Sequence, residues 1–226
     1  MNKSVLDNVA WHALSGPHLK FSIGSSTAKR YAKGFSPIVA YESYDRPDFA
    51  ALQGQCDAGE HLYCSGWTGP AVNGWDVLAD TSAYLMIWEK ELPELNLELS
   101  IQTLRQKDLS QVLDLAALTH LDPFGPRALE LGTFLGIFSG DRLVAMGGER
   151  MFADGFREIS SVATHPEYRG RGYARGLMLA LMHKQMLNKE IPFLHVMSEN
   201  SHAYAIYQRM GFSTHKEISV RVISSV

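Results

Sequence analysis

Ser160-Ser161-Val162-Ala163-Thr164-His165-Pro166-Glu167-Tyr168-Arg169-Gly170-Arg171-Gly172-Tyr173-Ala174 reads as the end of a strand, a glycine-rich turn and the first residues of a helix. A turn in that position leaves backbone N–H groups unpaired, and the helix N-terminus adds partial positive charge. Gly170 and Gly172 let the backbone approach a bulky anion, and Arg169 and Arg171 add formal charge. The stretch suits a pyrophosphate; the plain alternative is a surface αβ turn with two solvated arginines.

Glycine spacing separates the nucleotide loops. A Walker loop requires Lys-Ser or Lys-Thr after its last glycine, and none follows here. A dinucleotide fingerprint requires Gly-x-Gly-x-x-Gly, but after Gly170 and Gly172 the next glycine is Gly176, one residue late. The pattern Arg/Gln-x-x-Gly-x-Gly/Ala of acyl-CoA loops is met by Arg169, Gly172 and Ala174.

Around this turn the pattern is regular. Residues 99–104 alternate like a strand, and Asp108 is placed to cap a helix reaching Thr119, with Leu109, Val112, Leu113, Ala116 and Ala117 on one face. Segments 133–139, 142–152 and 157–164 are joined by the short turns Gly140-Asp141 and Asp154-Gly155. Such turns join only antiparallel neighbours. A helix over 173–187 follows, then a buried strand over 193–197. A helix over 201–210 has Asn200 or Ser201 as N-cap and Gly211 as left-handed C-cap, and a strand over 212–222 closes the pattern.

The first 95 residues carry no motif of this kind. They predict helices over 5–14 and 47–56, the second started at Arg46-Pro47, and strands over 35–44, 61–67 and 83–88. The charged, proline-containing segment 89–96 is the boundary candidate. It divides an N-terminal αβ portion, 1–95, from a second unit, 96–226. The expected fold class is α+β, with a mixed, mainly antiparallel twisted sheet flanked by helices.

The chain resembles the GNAT superfamily of acyl-CoA-dependent N-acyltransferases, and within it the FR47-like branch of glycine N-acyltransferase C-terminal domains. The carrying pieces are Leu143-Val144-Ala145-Met146-Gly147-Gly148-Glu149-Arg150, then residues 158–174, then Pro192-Phe193-Leu194-His195-Val196. The last is Asn200-Ser201-His202-Ala203-Tyr204-Ala205-Ile206-Tyr207-Gln208-Arg209-Met210-Gly211-Phe212. They stand in family order, and residues 1–95 would then be a degenerate half of the same fold.

The resemblance implies a GNAT fold and acetyl-CoA as cosubstrate. The pyrophosphate goes to Arg169, Gly170, Arg171, Gly172, Tyr173 and Ala174. The pantetheine arm docks as a pseudo-strand on the backbone of Val162, Ala163 and Thr164, where the strand before the turn splays from its neighbour. An amine acceptor is mostly ammonium at neutral pH, its reference pKa being ~10.4, so something must take its proton. Glu158 matches the position of the proposed base in glycine N-acyltransferase relatives, and apolar surroundings are expected to raise its pKa. Glu149, on the neighbouring strand, is the second candidate, unless it pairs with Arg150 or Arg142. Tyr207 stands at the family's tyrosine and is expected to contact the coenzyme and protonate its thiolate. Asn200 either holds the pantetheine amides or caps its helix.

These readings predict an N-acetyltransferase that works by direct attack of an amine on the bound thioester. The alternative is a non-catalytic acyl-CoA-binding regulatory module; a hydroxyl or thiol acceptor is a third possibility. The acceptor stays open among a small amine, an amino acid and a peptide. Residues 120–127 and the N-terminal portion are expected to shape its pocket, with Phe124 as a wall and Arg127 for an acceptor carboxylate.

Other classes find little support. A net charge of −3 over 226 residues lacks the basic excess of a dedicated nucleic-acid binder. The scattered histidines show no metal-ligand spacing, so no metal is expected. No run has the length of a membrane span, and the N-terminus lacks a signal peptide's apolar core. Cys56 and Cys64 are read as reduced thiols, which points to the cytoplasm.

Overall fold

The computed structural model describes residues 2–95, 98–121 and 123–226. The end of the boundary candidate, Asn96, and Asp122 of the acceptor loop lie outside the described residues. The first strands are β1 (Ser22–Gly24), β2 (Ala28–Tyr31), β3 (Ile38–Tyr41), β4 (Leu62–Ser65) and β5 (Trp75–Ile87). Then come β6 (Ile101–Thr103), β7 (Phe134–Ser139), β8 (Arg142–Ala153), β9 (Phe156–Thr164), β10 (Ile191–Met197) and β11 (Ser213–Ser225). The helices are α1 (Val9–Ser15), α2 (Phe49–Gln53), α3 (Leu109–Leu118), α4 (Tyr173–Leu187) and α5 (Ser201–Met210).

Among the described residues, the strands form one sheet in the order β1-β2-β3-β4-β11-β5-β10-β9-β8-β7-β6. Only β3–β4 and β9–β10 pair in parallel, so the mixed, mainly antiparallel α+β expectation holds. The short turns produce the β7–β8–β9 meander. Asp154 and Gly155, with φ of 46° and 82°, supply the tight turn of its second hairpin.

Strand alternation assigns the two faces. On β10, Phe193 packs in the α1 core with Leu14, Ile87 and Phe156, whereas Leu194 and Val196 pack with Leu177, Leu181 and Met182 of α4. A third core closes under α3 around Val112, Phe134 and Met146, and a fourth under α2 around Phe49, Trp67 and Trp75. No helix of the described residues is long and apolar enough to cross a membrane.

β5 lies between β10 and β11. It pairs with β10 from Phe193↔Ile87 to Met197↔Ala83, and with β11 from Ser213↔Ile87 to Ser225↔Trp75. It is longer than the 83–88 expected, because pairing with β11 carries the exposed residues Asp76 and Asp80 into the ladder. Two further expectations are corrected locally. α2 starts at the side-chain cap of Asp48, which accepts from Ala51 N at 3.0 Å, so Pro47 is left outside the helix. Asp108 does not cap α3 with its side chain; it accepts from Arg105 N at 2.8 Å and closes a 3-10 turn.

Candidate active site

β9 and β10 run parallel for only three residue pairs, Phe156↔Ile191, Arg157↔Pro192 and Glu158↔Phe193. Beyond them, 159–164 stay with β8 and 194–197 stay with β5, so the strands part. β9 carries an extra residue there: its register with β8 shifts between Gly148↔Ser160 and Met146↔Ala163. Ser161 absorbs the bulge at φ 57°, a left-handed conformation costly for a residue with a Cβ. A cavity of about 710 Å³ occupies the region, lined on the α4 side by Ile159, Val162, Leu194, Val196, Ala203 and Tyr207.

The glycine turn lies at the end of β9. Pro166–Tyr168 form a 3-10 turn in which His165 accepts from Glu167 N. Gly170 and Gly172 have φ of 78° and 77°, and a Cβ at either would meet nothing within 4 Å. The glycines therefore serve the turn's handedness and keep its outer side open. Gly172 is the N-cap of α4 and contributes no side chain to it. The N–H groups of Arg171, Gly172, Tyr173 and Ala174 donate to no protein acceptor among the described residues. Arg169 and Arg171 are exposed beside them, Arg171 lying 4.8 Å from the centre of the Tyr168 ring. This surface has the donors, charge and open space that a pyrophosphate requires.

Glu158 sits at the fork of the splay and is fully buried. Arg150 holds it in a two-pronged pair, Nη2 to Oε1 at 2.6 Å and Nε to Oε2 at 3.0 Å. Met151 N donates to Oε2 at 3.2 Å, and His195 Nδ1 is 2.8 Å from Oε1. The expectation of a raised pKa is corrected. Burial alone would raise it, but the Arg150 charge and the hydrogen bonds from His195 and Arg150 outweigh burial and hold the carboxyl down to about 2. Arg150 reaches Glu158 because β8 has its own register shift between Glu149↔Ile159 and Phe152↔Arg157.

Glu149 is buried on the α4 face and does not line the cavity. It accepts from Thr133 N at 2.8 Å and from Gln185 Nε2 at 3.1 Å, with Lys184 Nζ at 3.5 Å. Neither Arg150 nor Arg142 is its partner: Arg150 holds Glu158, and Arg142 meets His165 and Glu167.

The sequence profile of the Acetyltransferase (GNAT) family matches residues 100–212, half of the chain. This protein belongs to the GNAT acetyltransferase family. A GNAT-family protein of known structure from Novosphingobium aromaticivorans is 27% identical over 98% of each chain, with a TM-score of 0.86. The GCN5-related N-acetyltransferase of Kribbella flavida shares the fold at 14% identity, over 96% of this chain and 94% of that one, with a TM-score of 0.63. So does a GCN5-related N-acetyltransferase-like protein of Streptococcus suis, at 14% identity over 96% and 92%, TM-score 0.63. No curated protein matches.

Membership implies acetyl-CoA as acyl donor, and the remaining GNAT positions distribute as follows. Val162 lines the cavity; Ala163 is buried in the α3 core, and the Thr164 carbonyl accepts from Arg169 Nε at 3.4 Å. Asn200 caps α5 by accepting from Ala203 N at 3.0 Å, and it also borders the cavity. The Tyr207 ring packs against Phe212, and burial raises its pKa, keeping the phenol protonated. Phe124 and Arg127 do not line the cavity: Phe124 packs on Phe134, and Arg127 pairs with Glu130 over the Phe35 ring. His120, Leu121 and Pro123 of the same loop do line it.

In the sequence His195 stood out only as part of the stretch Pro192-Phe193-Leu194-His195-Val196. It borders the cavity beside Glu158. The available signal was a single polar side chain in an otherwise apolar strand, on the face opposite Leu194 and Val196.

Proposed function

We propose that this GNAT protein transfers the acetyl group of acetyl-CoA to a primary amine by direct attack, and that it belongs to the FR47-like branch. The observation that carries the reading is the parting of β9 and β10 immediately past Glu158↔Phe193, beside the open glycine turn. An extended pantetheine arm finds an unpaired strand edge along 159–164, and the pyrophosphate finds the free N–H groups of Arg171 to Ala174. Tyr207, held protonated by burial, is the donor to the departing thiolate.

The acceptor enters from the α1 face. Leu6, Val9, Ala10 and Ile38 of the N-terminal portion wall that side, opposite Ile218 and Val220 of β11. The formal charges on this side are matched within the protein: Arg150 by Glu158, Lys216 by Asp7 at 2.9 Å. An unmatched charge carried into such a chamber would lose hydration without a partner. The chamber therefore suits a monoamine with an apolar body, with residues 1–95 supplying its wall. Free thiols at Cys56 and Cys64 accord with a cytoplasmic setting.

The test is thermal unfolding with acetyl-CoA, CoA and NADH, followed by acetyl-CoA turnover with 2-phenylethylamine, spermidine, glycine and a short peptide. A ligand at a hundred times its Kd stabilises by about 2.7 kcal/mol. A rise in Tm with both coenzyme A forms but not NADH, and turnover fastest with 2-phenylethylamine, is expected. Stabilisation without turnover of any amine would favour the regulatory module, and no stabilisation would remove the coenzyme site.

A further inference from the structure

Glu158 occupies the position expected of a base, yet it has no free direction in which to collect a proton. Both carboxylate oxygens already accept, from Arg150, from Met151 N and from the His195 ring. Its side chain is 1% exposed, whereas that of His195 is 14% exposed and borders the cavity.

The hydrogen bond between them fixes the imidazole. An ionised carboxylate only accepts, so His195 Nδ1 carries a hydrogen and donates it to Glu158 Oε1. The Arg150 guanidinium already neutralises the carboxylate, so the pair does not require an imidazolium. In the neutral ring Nε2 then keeps its lone pair. Among the described residues Nε2 makes no hydrogen bond, and it is not among the buried side-chain atoms left without a partner.

We propose that His195 Nε2 is the base that takes the proton of the attacking amine, and that Glu158 positions it. The inference rests on the amine-acetylation reading above. The amine nitrogen attacks the thioester carbonyl; a C–N bond forms, the C–S bond breaks, and the electron pair leaves on sulfur. The amine proton passes to Nε2 and from there to solvent, while Tyr207 protonates the thiolate and is itself reprotonated by solvent. No oxidant or further reactant is needed.

Charged and titratable groups surround His195 from several elements. From β8 and β9 it faces Arg150 and Glu158, paired to one another. Behind Glu158 lie His18 and Tyr31, bonded to each other at 2.8 Å. From β5 its register partner is Leu85. At the cavity walls, Asp7 is held by Lys216 and Glu217 is bonded to Ser82. His120 lines the cavity from the exposed loop before Pro123.

The test compares wild type with His195→Asn, whose amide can still donate to Glu158 but offers no basic nitrogen. The acceptor is the amine turned over fastest in the panel above. His195→Asn is expected to keep the wild-type Tm rise with acetyl-CoA and to lose at least about 100-fold in kcat/KM near neutral pH. It is also expected to lose the acidic limb of the wild-type pH–rate profile. Glu158→Gln should lower kcat while keeping an acidic limb. Long-range proton–nitrogen NMR of the free protein gives a check independent of turnover: His195 should carry its proton on Nδ1 at neutral pH. A ring protonated on Nε2 would overturn the proposal. So would a His195→Asn variant with wild-type kcat/KM and pH profile. If wild type turns over no amine, the parent reading fails along with this one; if only the variant comparison fails, the parent reading stands.

Discussion

Phe193 is the last residue of β10 to pair with β9, and its partner is Glu158. The carboxylate and the fork of the splay are thus one structural unit. A residue earlier, Glu158 would be enclosed between paired strands; a residue later, it would stand in the open cavity. At the fork it is buried and still reaches His195, whose ring faces the cavity wall.

Tyr207 separates packing from proton donation. Tyr207→Phe keeps the ring against Phe212 and removes only the hydroxyl. The Tm rise with acetyl-CoA should be retained and kcat should fall about 100-fold. Steady-state kinetics check this; an unchanged kcat would assign the thiolate's proton to water.

Glu149 belongs to the fold's polar core beneath α4. Glu149→Ala leaves Thr133 N and the Gln185 amide without their acceptor. A loss of about 2–3 kcal/mol, roughly 5–10 °C in Tm, is expected. The folded enzyme should keep its kcat/KM at 20 °C. The opposite pattern, a collapsed rate with an unchanged Tm, would place Glu149 in the chemistry.

Gly172 tests the glycine turn. It sits at φ 77° with open space around a would-be Cβ, so Gly172→Ala meets no clash, only backbone strain of about 1–3 kcal/mol. Relaxing that strain re-aims the free N–H groups. The acetyl-CoA-dependent Tm rise should shrink by at least half, and a full rise would show that the pyrophosphate rests elsewhere.

His18 should control stability in mild acid. It is buried, with Nδ1 2.8 Å from the Tyr31 hydroxyl. Burial, then the Arg157 charge, lowers its pKa from 6.5 to about 4. Between these values the unfolded chain binds a proton that the folded protein refuses, so stability falls as pH drops through that window, by about 3 kcal/mol at most. Glu158 acts in the same direction over a lower window: its contribution is complete above 4.5 and is lost as pH falls toward about 2. Denaturant midpoints from pH 7 to 4 should decline in wild type and flatten in His18→Gln. A decline of the same slope in the variant would assign the effect to other groups.

What the sequence disclosed followed local chemistry. α4 and α5 carry the residues expected of them, because Gly172, Asn200 and Gly211 mark their ends directly. The meander was legible from its two short turns. β1 and β2 were not: they span three and four residues, and β2 contains Lys29 and Arg30. Arg30 reads as a loop charge, yet it is buried in a two-pronged pair with Glu60, 30 residues away. The surroundings of Glu158 were illegible for a similar reason. Arg150 reaches it only through a register shift in β8, and His195 arrives from a strand beyond α4. No local pattern encodes either meeting.

The place of β5 has a consequence for how the chain is made. Residues 75–87 are synthesised early, but one of their neighbours, β11, ends at Ser225. On a ribosome this strand must wait with both edges unfilled until β10 and then β11 are made, the second of them completed only after more than half of the sequence has followed. Closing so distant a pair is slow relative to local folding. The nascent chain therefore carries an open edge, exposed to aggregation, for most of its translation. A chaperone that shields strand edges would act on this protein before release rather than after it.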